Sequence, residues 1–153
     1  MRRKVGVTLV ELLLVLAILG VVASIGFVNF RVLGNDVHNG AGQIAGGFKQ
    51  ARARAMATTS AYRVVRVSET ALRAEFAVNC AAAEDAWTVD ERFELRLEGA
   101  VTITSIDDPA SGDVVLCFNS RGLSNSNPTI TLTDREGRTA TVEVFIGGAV
   151  DRR

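Results

Sequence analysis

The chain has 153 residues, is 48% apolar, and balances seventeen Lys and Arg against seventeen Asp and Glu. That is one domain's worth of core-forming sequence once any targeting segment is set aside. Zero net charge gives no bulk electrostatic case for a nucleic-acid or anionic-membrane partner, and one His with two distant Cys cannot build a metal centre.

Arg2, Arg3 and Lys4 form a basic head, and from Val5 to Val28 the only charge is Glu11. As a helix this run of about 24 residues measures roughly 36 Å, enough to cross a bilayer core. The basic head is expected in the cytoplasm and the remainder outside it. A single carboxylate in hydrocarbon is costly and marks function. The rival reading is a secretory signal peptide cut near Ala23-Ser24-Ile25-Gly26. Glu11 inside the apolar run, and Gly6 between that run and the basic head, argue against it.

Residues 29–58 continue as an amphipathic helix. Val37, Ala41, Ile44, Phe48, Ala51 and Ala55 recur at steps of four and three, which marks one apolar face whose natural partner is a sheet. Gly34, Gly40, Gly42, Gly46 and Gly47 weaken this helix by about 1 kcal/mol each relative to Ala. Close packing, a bend and an unwound turn all account for them. His38 is expected to face solvent.

Residues 59–153 read as β structure. Thr58-Thr59-Ser60 breaks the helical pattern. Tyr62–Val67 and Leu72–Val78 form a hairpin, and Asn79–Ala86 is an acidic small-residue loop. Further strands are expected at Phe93–Leu97, Val101–Ile106 and Val114–Phe118. Thr129–Thr133 and Ala140–Ile146 make a closing hairpin around Asp134-Arg135-Glu136-Gly137-Arg138. Basic residues concentrate between Lys49 and Arg73 and acidic ones between Glu84 and Asp113. This asymmetry is expected as two solvated faces of one domain. The fold class is α+β, with a long amino-terminal helix packed on antiparallel sheets.

The stretch RRKVG followed by VTLVELLLVLAILGVVA resembles the class III leader of type IV pilins and type II secretion pseudopilins. It departs from the usual pattern in having Val7 where Phe is commonest, and in lacking a Pro near Val28. The resemblance implies removal of residues 1–6 by a prepilin peptidase cutting between Gly6 and Val7, with methylation of the new amine. Residues 7–28 would be retained as a transmembrane and filament-core helix. Glu11, four residues after that amine, would then pair with the amine of a neighbouring subunit and favour one axial register. FKQARARAMATTSAYRVVRV, VVLCFNSRGLS and TITLTDREGRTATVEVFIGGAV are similar to the GspH/FimT branch of these proteins.

That branch implies a minor subunit in filament initiation or at the tip. Its partners would be other pilins, an inner-membrane assembly platform, the membrane before assembly, and DNA or a secreted protein as cargo. Some FimT-like proteins bind DNA through a carboxy-terminal Gly-Arg-x-Arg motif. Gly148-Ala149-Val150-Asp151 stands at that place here and lacks both arginines. The remaining candidates for nucleic-acid contact are Arg121, Arg135, Arg138, Arg152 and Arg153. A third reading is a membrane-tethered binding domain that never polymerises. An exported domain permits a disulfide between Cys80 and Cys117, with two buried free thiols as the alternative. Neither a cofactor nor catalytic activity is expected.

Overall fold

The computed structural model describes residues 9–32 and 36–153, so the processing site expected at Gly6 and Val7 and the glycine at position 34 lie outside the described residues. Two units, residues 1–35 and 36–153, are each compact in themselves. In the first, the side chains described in helix α1 (Leu9–Val32) are apolar but for Glu11, and Leu9–Val22 are exposed in the single chain. A helix greasy all round is suited to lipid or to a core built from other helices. Among the described residues no helix is long and apolar enough to cross a membrane. The side chains described in α1 are those of Leu9–Val22 alone.

The second unit opens with α2 (Asp36–Thr58), which carries Asp36 in its first turn, where a carboxylate complements the helix dipole. The six-residue apolar stripe is buried throughout, and His38 is exposed. Gly40 and Gly47 are explained by packing. A Cβ at 40 would lie 3.1 Å from Val101, and one at 47 would overlap the end of Leu95. Gly42 lies under the Arg152 guanidinium, whereas Gly46 has open space around it.

Eight strands follow in two antiparallel sheets. The first has the order β3-β2-β1-β5, built from β1 (Ala61–Ser68), β2 (Ala71–Ala77), β3 (Thr88–Arg96) and β5 (Val114–Phe118). The second has the order β4-β6-β7-β8, built from β4 (Thr102–Asp107), β6 (Thr129–Thr133), β7 (Thr139–Val144) and β8 (Val150–Arg152). Phe48 and Ile44 of α2 join Leu116, Phe118, Ile130, Leu132 and Ile103 in one core, so the helix and both sheets share their apolar faces. On α2's side of the first sheet stand Tyr62, Val64, Leu72 and Ala74, alternating along the strands as the pleat requires.

Two elements depart from the expected pattern. Strand β3 begins at Thr88 rather than Phe93, through pairing of Thr88 with Phe76 and Val89 with Glu75 across an irregularity in β2. The run Asp90-Glu91-Arg92 has loop-like composition, but Arg54 of α2 takes up the Asp90 carboxylate and makes a strand there tolerable. The second departure is β8, three residues that pair with β7 from Val142↔Arg152 to Val144↔Val150 and are too short to leave a periodic signal.

Candidate functional site

The described molecule carries a polar clasp on the first sheet and a glycine clasp at the end of α2. The polar clasp closes the loop 79–87 over the face of the first sheet away from α2. Cys80 in that loop is bonded to Cys117 of β5, with Cα atoms 5.9 Å apart. Beside it, Arg63 of β1 donates from Nε to Glu75 (2.7 Å), and from its two terminal nitrogens to Glu84 (2.9 and 2.7 Å). The Trp87 ring covers the same guanidinium at 4.4 Å from its centroid. Glu84, through its bonds with Arg63, is held below the usual carboxylate range, and the same bonds raise Arg63. Arg73 brings a second cation to Glu75 at 2.6 Å.

Another ion pair ties α2 to β3. Burial works against the Asp90 charge, but the Arg54 guanidinium, the Arg92 amide and the Tyr62 hydroxyl outweigh it, so this carboxyl titrates below its usual range. Burial and the neighbouring Asp90 charge push Tyr62 upward. These pairs correct the reading of two solvated faces. The basic run on α2 and β1 meets the acidic run of the loop and β3, because β2 alone separates β1 from β3.

The glycine clasp lies near the carboxy end of α2. Arg52 donates from Nε to the Gly122 carbonyl at 2.9 Å and from a terminal nitrogen toward the Gly147 carbonyl at 3.4 Å. Gly122 and Gly148 both hold positive φ, 74° and 77°, where side chains other than glycine's are strained. A Cβ on Gly122 would stand 2.8 Å from the Met56 sulfur, and one on Gly148 would overlap the Gly122 carbonyl. The loop after β5 and the β7–β8 turn are thus interlocked under one guanidinium. In the sequence Arg52 reads only as one cation of a basic stretch, off the apolar stripe of α2. Its signal was an arginine in the ARARA stretch of α2, together with the glycines at 122 and 147–148.

Of the five candidate nucleic-acid arginines, Arg121 stands apart, whereas Arg138 and Arg152 lie toward Asp36 at the start of α2, with Arg153 next to Arg152 along β7. Arg121 is exposed on the loop beside Gly122, at the Arg52 level of α2. Arg152 reaches Gly42, ten residues earlier, or about 15 Å along the helix axis. Arg138 is held by Asp134 at 2.6 Å and by Glu136 at 3.3 Å. Burial opposes the Asp134 charge, but Arg138 and two backbone amides overcome it and set the carboxyl below its usual range. Arg135 is exposed in the same turn, and Arg153 stands 3.8 Å from Glu143 and 3.7 Å from Asp151. Glu11 lies in the first turn of α1.

An apolar amino-terminal helix, followed by a helix laid on two four-stranded antiparallel sheets, defines the pilin class of structural subunit. Residues 1–27 match the prokaryotic N-terminal methylation motif, and residues 40–148 match the family described as type II transport protein GspH. The chain belongs to the GspH family and is a minor pilin or pseudopilin. Its fold is similar to that of the minor pseudopilin EpsH from the type 2 secretion system of Vibrio cholerae. That match is 12% identical with a TM-score of 0.57, and covers 78% of this chain and 97% of the other. It is similar also to the type IV minor pilin FimU of Pseudomonas aeruginosa, at 10% identity and a TM-score of 0.55, covering 78% of this chain and 89% of that one. At such identities the likeness is one of fold. No curated protein matches the chain.

Proposed function

We propose that this chain is a minor subunit of a type II secretion pseudopilus, acting in filament initiation or at the tip. A prepilin peptidase cuts between Gly6 and Val7. The apolar helix then holds the subunit in the inner membrane, with its globular domain outside, until an assembly platform draws it into the filament. The observation that carries this reading is the succession, on one chain, of the methylation motif over residues 1–27 and the GspH match over residues 40–148. The apolar sequence from Val5 to Val28, interrupted only by Glu11, supports the membrane stage. Once in the filament, the helix is held by packing among other helices. Glu11 meets the methylated amine of a neighbour there, and the mutual charge offsets much of the desolvation of both groups.

The role is structural, with folded secreted protein as the cargo class. DNA as cargo has weaker support, because carboxylates already hold Arg138 and Arg153, and phosphate contacts need clustered free cations. Mass spectrometry of the mature protein tests the processing. An amino terminus at Val7, methylated, is expected, and a terminus after Ser24 or Gly26 would overturn it. Glu11→Ala is expected to leave the protein processed but absent from filaments. Normal incorporation of that variant would favour the tethered, non-polymerising domain instead.

A further inference from the structure

One row of side chains crosses the first sheet on its α2 side, where the register sets Phe118 beside Tyr62, Tyr62 beside Phe76 and Phe76 beside Thr88. Cover fades along it. Phe118 is fully buried and Tyr62 nearly so, whereas Phe76 is 37% exposed and Thr88 is open. The helix stops at Thr58, beside this row, and leaves the Phe76 ring as a floor, stacked on Tyr62 with centroids 5.8 Å apart. Two adjoining clefts, of about 740 and 530 Å³, have Thr58, Tyr62, Phe76 and Thr88 in common. Small-molecule sites have volumes of about 300–1,000 Å³.

Hydroxyls and balanced charges make the walls. The turn Thr58-Thr59-Ser60 borders the smaller cleft, and Thr59 holds a φ of 52°. Glycine is the usual residue at that place in a helix end, and a β-branched residue there is strained. The Ser60 amide already closes the helix on the Ala55 carbonyl at 3.2 Å, so the fold itself needs no side chain at 59. Strain of this kind gathers at functional sites. The larger cleft is walled by Arg54, Asp90, Glu91 and Arg92, two cations against two anions. Asp90 is 9% exposed and is fixed by Arg54, by the Arg92 amide at 3.1 Å and by the Tyr62 hydroxyl at 3.4 Å.

These walls select among occupants. A wholly apolar segment on Phe76 would strip water from the hydroxyls and from the Asp90–Arg54 pair without replacing it. An anion such as phosphate would meet Asp90 and Glu91, and a cation would meet Arg54 and Arg92. A pyranose ring answers the floor and the walls together. Its face of C–H bonds lies flat on the negative face of an aromatic ring, and its rim of hydroxyls both donates and accepts. We infer that this cleft binds an uncharged saccharide, with one pyranose on Phe76 and its hydroxyls directed to Thr59, Thr88 and the Asp90–Arg54 pair. Cell-wall glycan and secreted polysaccharide both offer that chemistry. The inference rests on the proposed reading only in placing this domain outside the membrane.

The test is saturation-transfer NMR with calorimetry on the purified full-length chain, in a detergent without a sugar headgroup. The probes are triacetylchitotriose, which carries the acetamido groups of wall glycan, and cellotriose, which has none. A dissociation constant of about 1 mM or tighter is expected for at least one of them, with transfer strongest to the ring C–H protons. The better probe identifies the source. Phe76→Leu keeps apolar bulk but removes the ring, and should weaken binding about tenfold. Thr59→Gly relieves the strained φ, so it should raise the thermal midpoint while weakening binding about threefold. The inference is overturned by no transfer to either sugar at about 10 mM, or by an affinity that either variant leaves unchanged. Displacement of the sugar by acetyl-leucyl-phenylalanine amide or by inorganic phosphate at equal concentration would also overturn it. Binding is read on the purified chain, so its failure leaves the assembly reading standing. An amino terminus after Ser24 or Gly26 would remove that reading without touching the cleft.

Discussion

The α-carbon of Gly148 sits against the carbonyl of Gly122, so that any side chain at 148 would overlap that oxygen, and both residues hold positive φ. Two turns far apart in sequence are thereby locked face to face, with Arg52 bonding to the backbone of both. Gly148→Ala brings a strained φ and a backbone overlap together. A loss of about 2–4 kcal/mol is expected, read as a lower thermal or urea midpoint. An unchanged midpoint would overturn the close approach of the two turns.

Arg52→Lys separates the charge of the clasp from its geometry. Lysine keeps the cation but is a point donor rather than a planar fork, so it cannot bond both turns in the same way. A cost of about 1 kcal/mol is expected. Amide exchange should accelerate at Gly122, Leu123 and Gly148 while β1 and β2 stay protected. Uniform acceleration across both sheets would point to a general loss of stability instead.

Within α2 the glycines divide. Gly46→Ala meets nothing, so the helix should gain about 0.5–1 kcal/mol, whereas Gly47→Ala pushes on Leu95 and should lose about 1 kcal/mol. Paired thermal melts of the two variants check the opposite signs. If Gly46→Ala stabilises the protein yet halts assembly, the open face of α2 is needed for close approach by a neighbour.

Replacing both Cys80 and Cys117 by Ser opens a closure 37 residues apart in sequence. In the chain-entropy account this costs about 2–4 kcal/mol, measured as a shift in urea midpoint. The Arg63–Glu84 pair and the Trp87 contact should keep the loop 79–87 on the sheet at neutral pH in the variant. Proteolysis confined to that loop, with the sheets intact, would show that they do not.

Asp90 supplies an acid-sensitive contribution. Its folded carboxyl titrates below its ordinary range, so the stabilisation is complete above the ordinary value of about 3.9 and is lost as pH falls through the folded value. Asp90→Asn should cost about 1–3 kcal/mol at neutral pH, since both partners are largely buried. The same variant should flatten the fall of stability below pH ~4. An equally steep acid limb in wild type and variant would remove Asp90 from the account.

Some features were legible because they are repeated along the chain. The α2 stripe is read from six residues at helical spacing, and all six are buried. The β1–β2 hairpin and the β6–β7 hairpin announce themselves by alternation around turn residues. The start of β3 did not, because Asp90 belongs in a strand only once Arg54 lies beside it. Nor did β8, whose three residues are a strand only because β7 offers an edge.

The class of protein was legible in the linear chain. An apolar run behind a basic head and Gly6, with a carboxylate at position 11, is a local pattern that needs no third dimension to be read. Periodicity likewise determined where one helix face and most strands fall, because burial on a helix or sheet repeats at fixed intervals. Which arginines are committed depended on the folded arrangement. Arg52, Arg54 and Arg63 look alike in the chain, yet one locks two glycine turns, one neutralises a strand acid and one clamps a loop. It also decided which apolar side chains of residues 36–153 stay exposed, Val78 and Ile146 among them. Charge pairing and patch formation depend on distances across the fold, and the pairing of distant strands sets those distances.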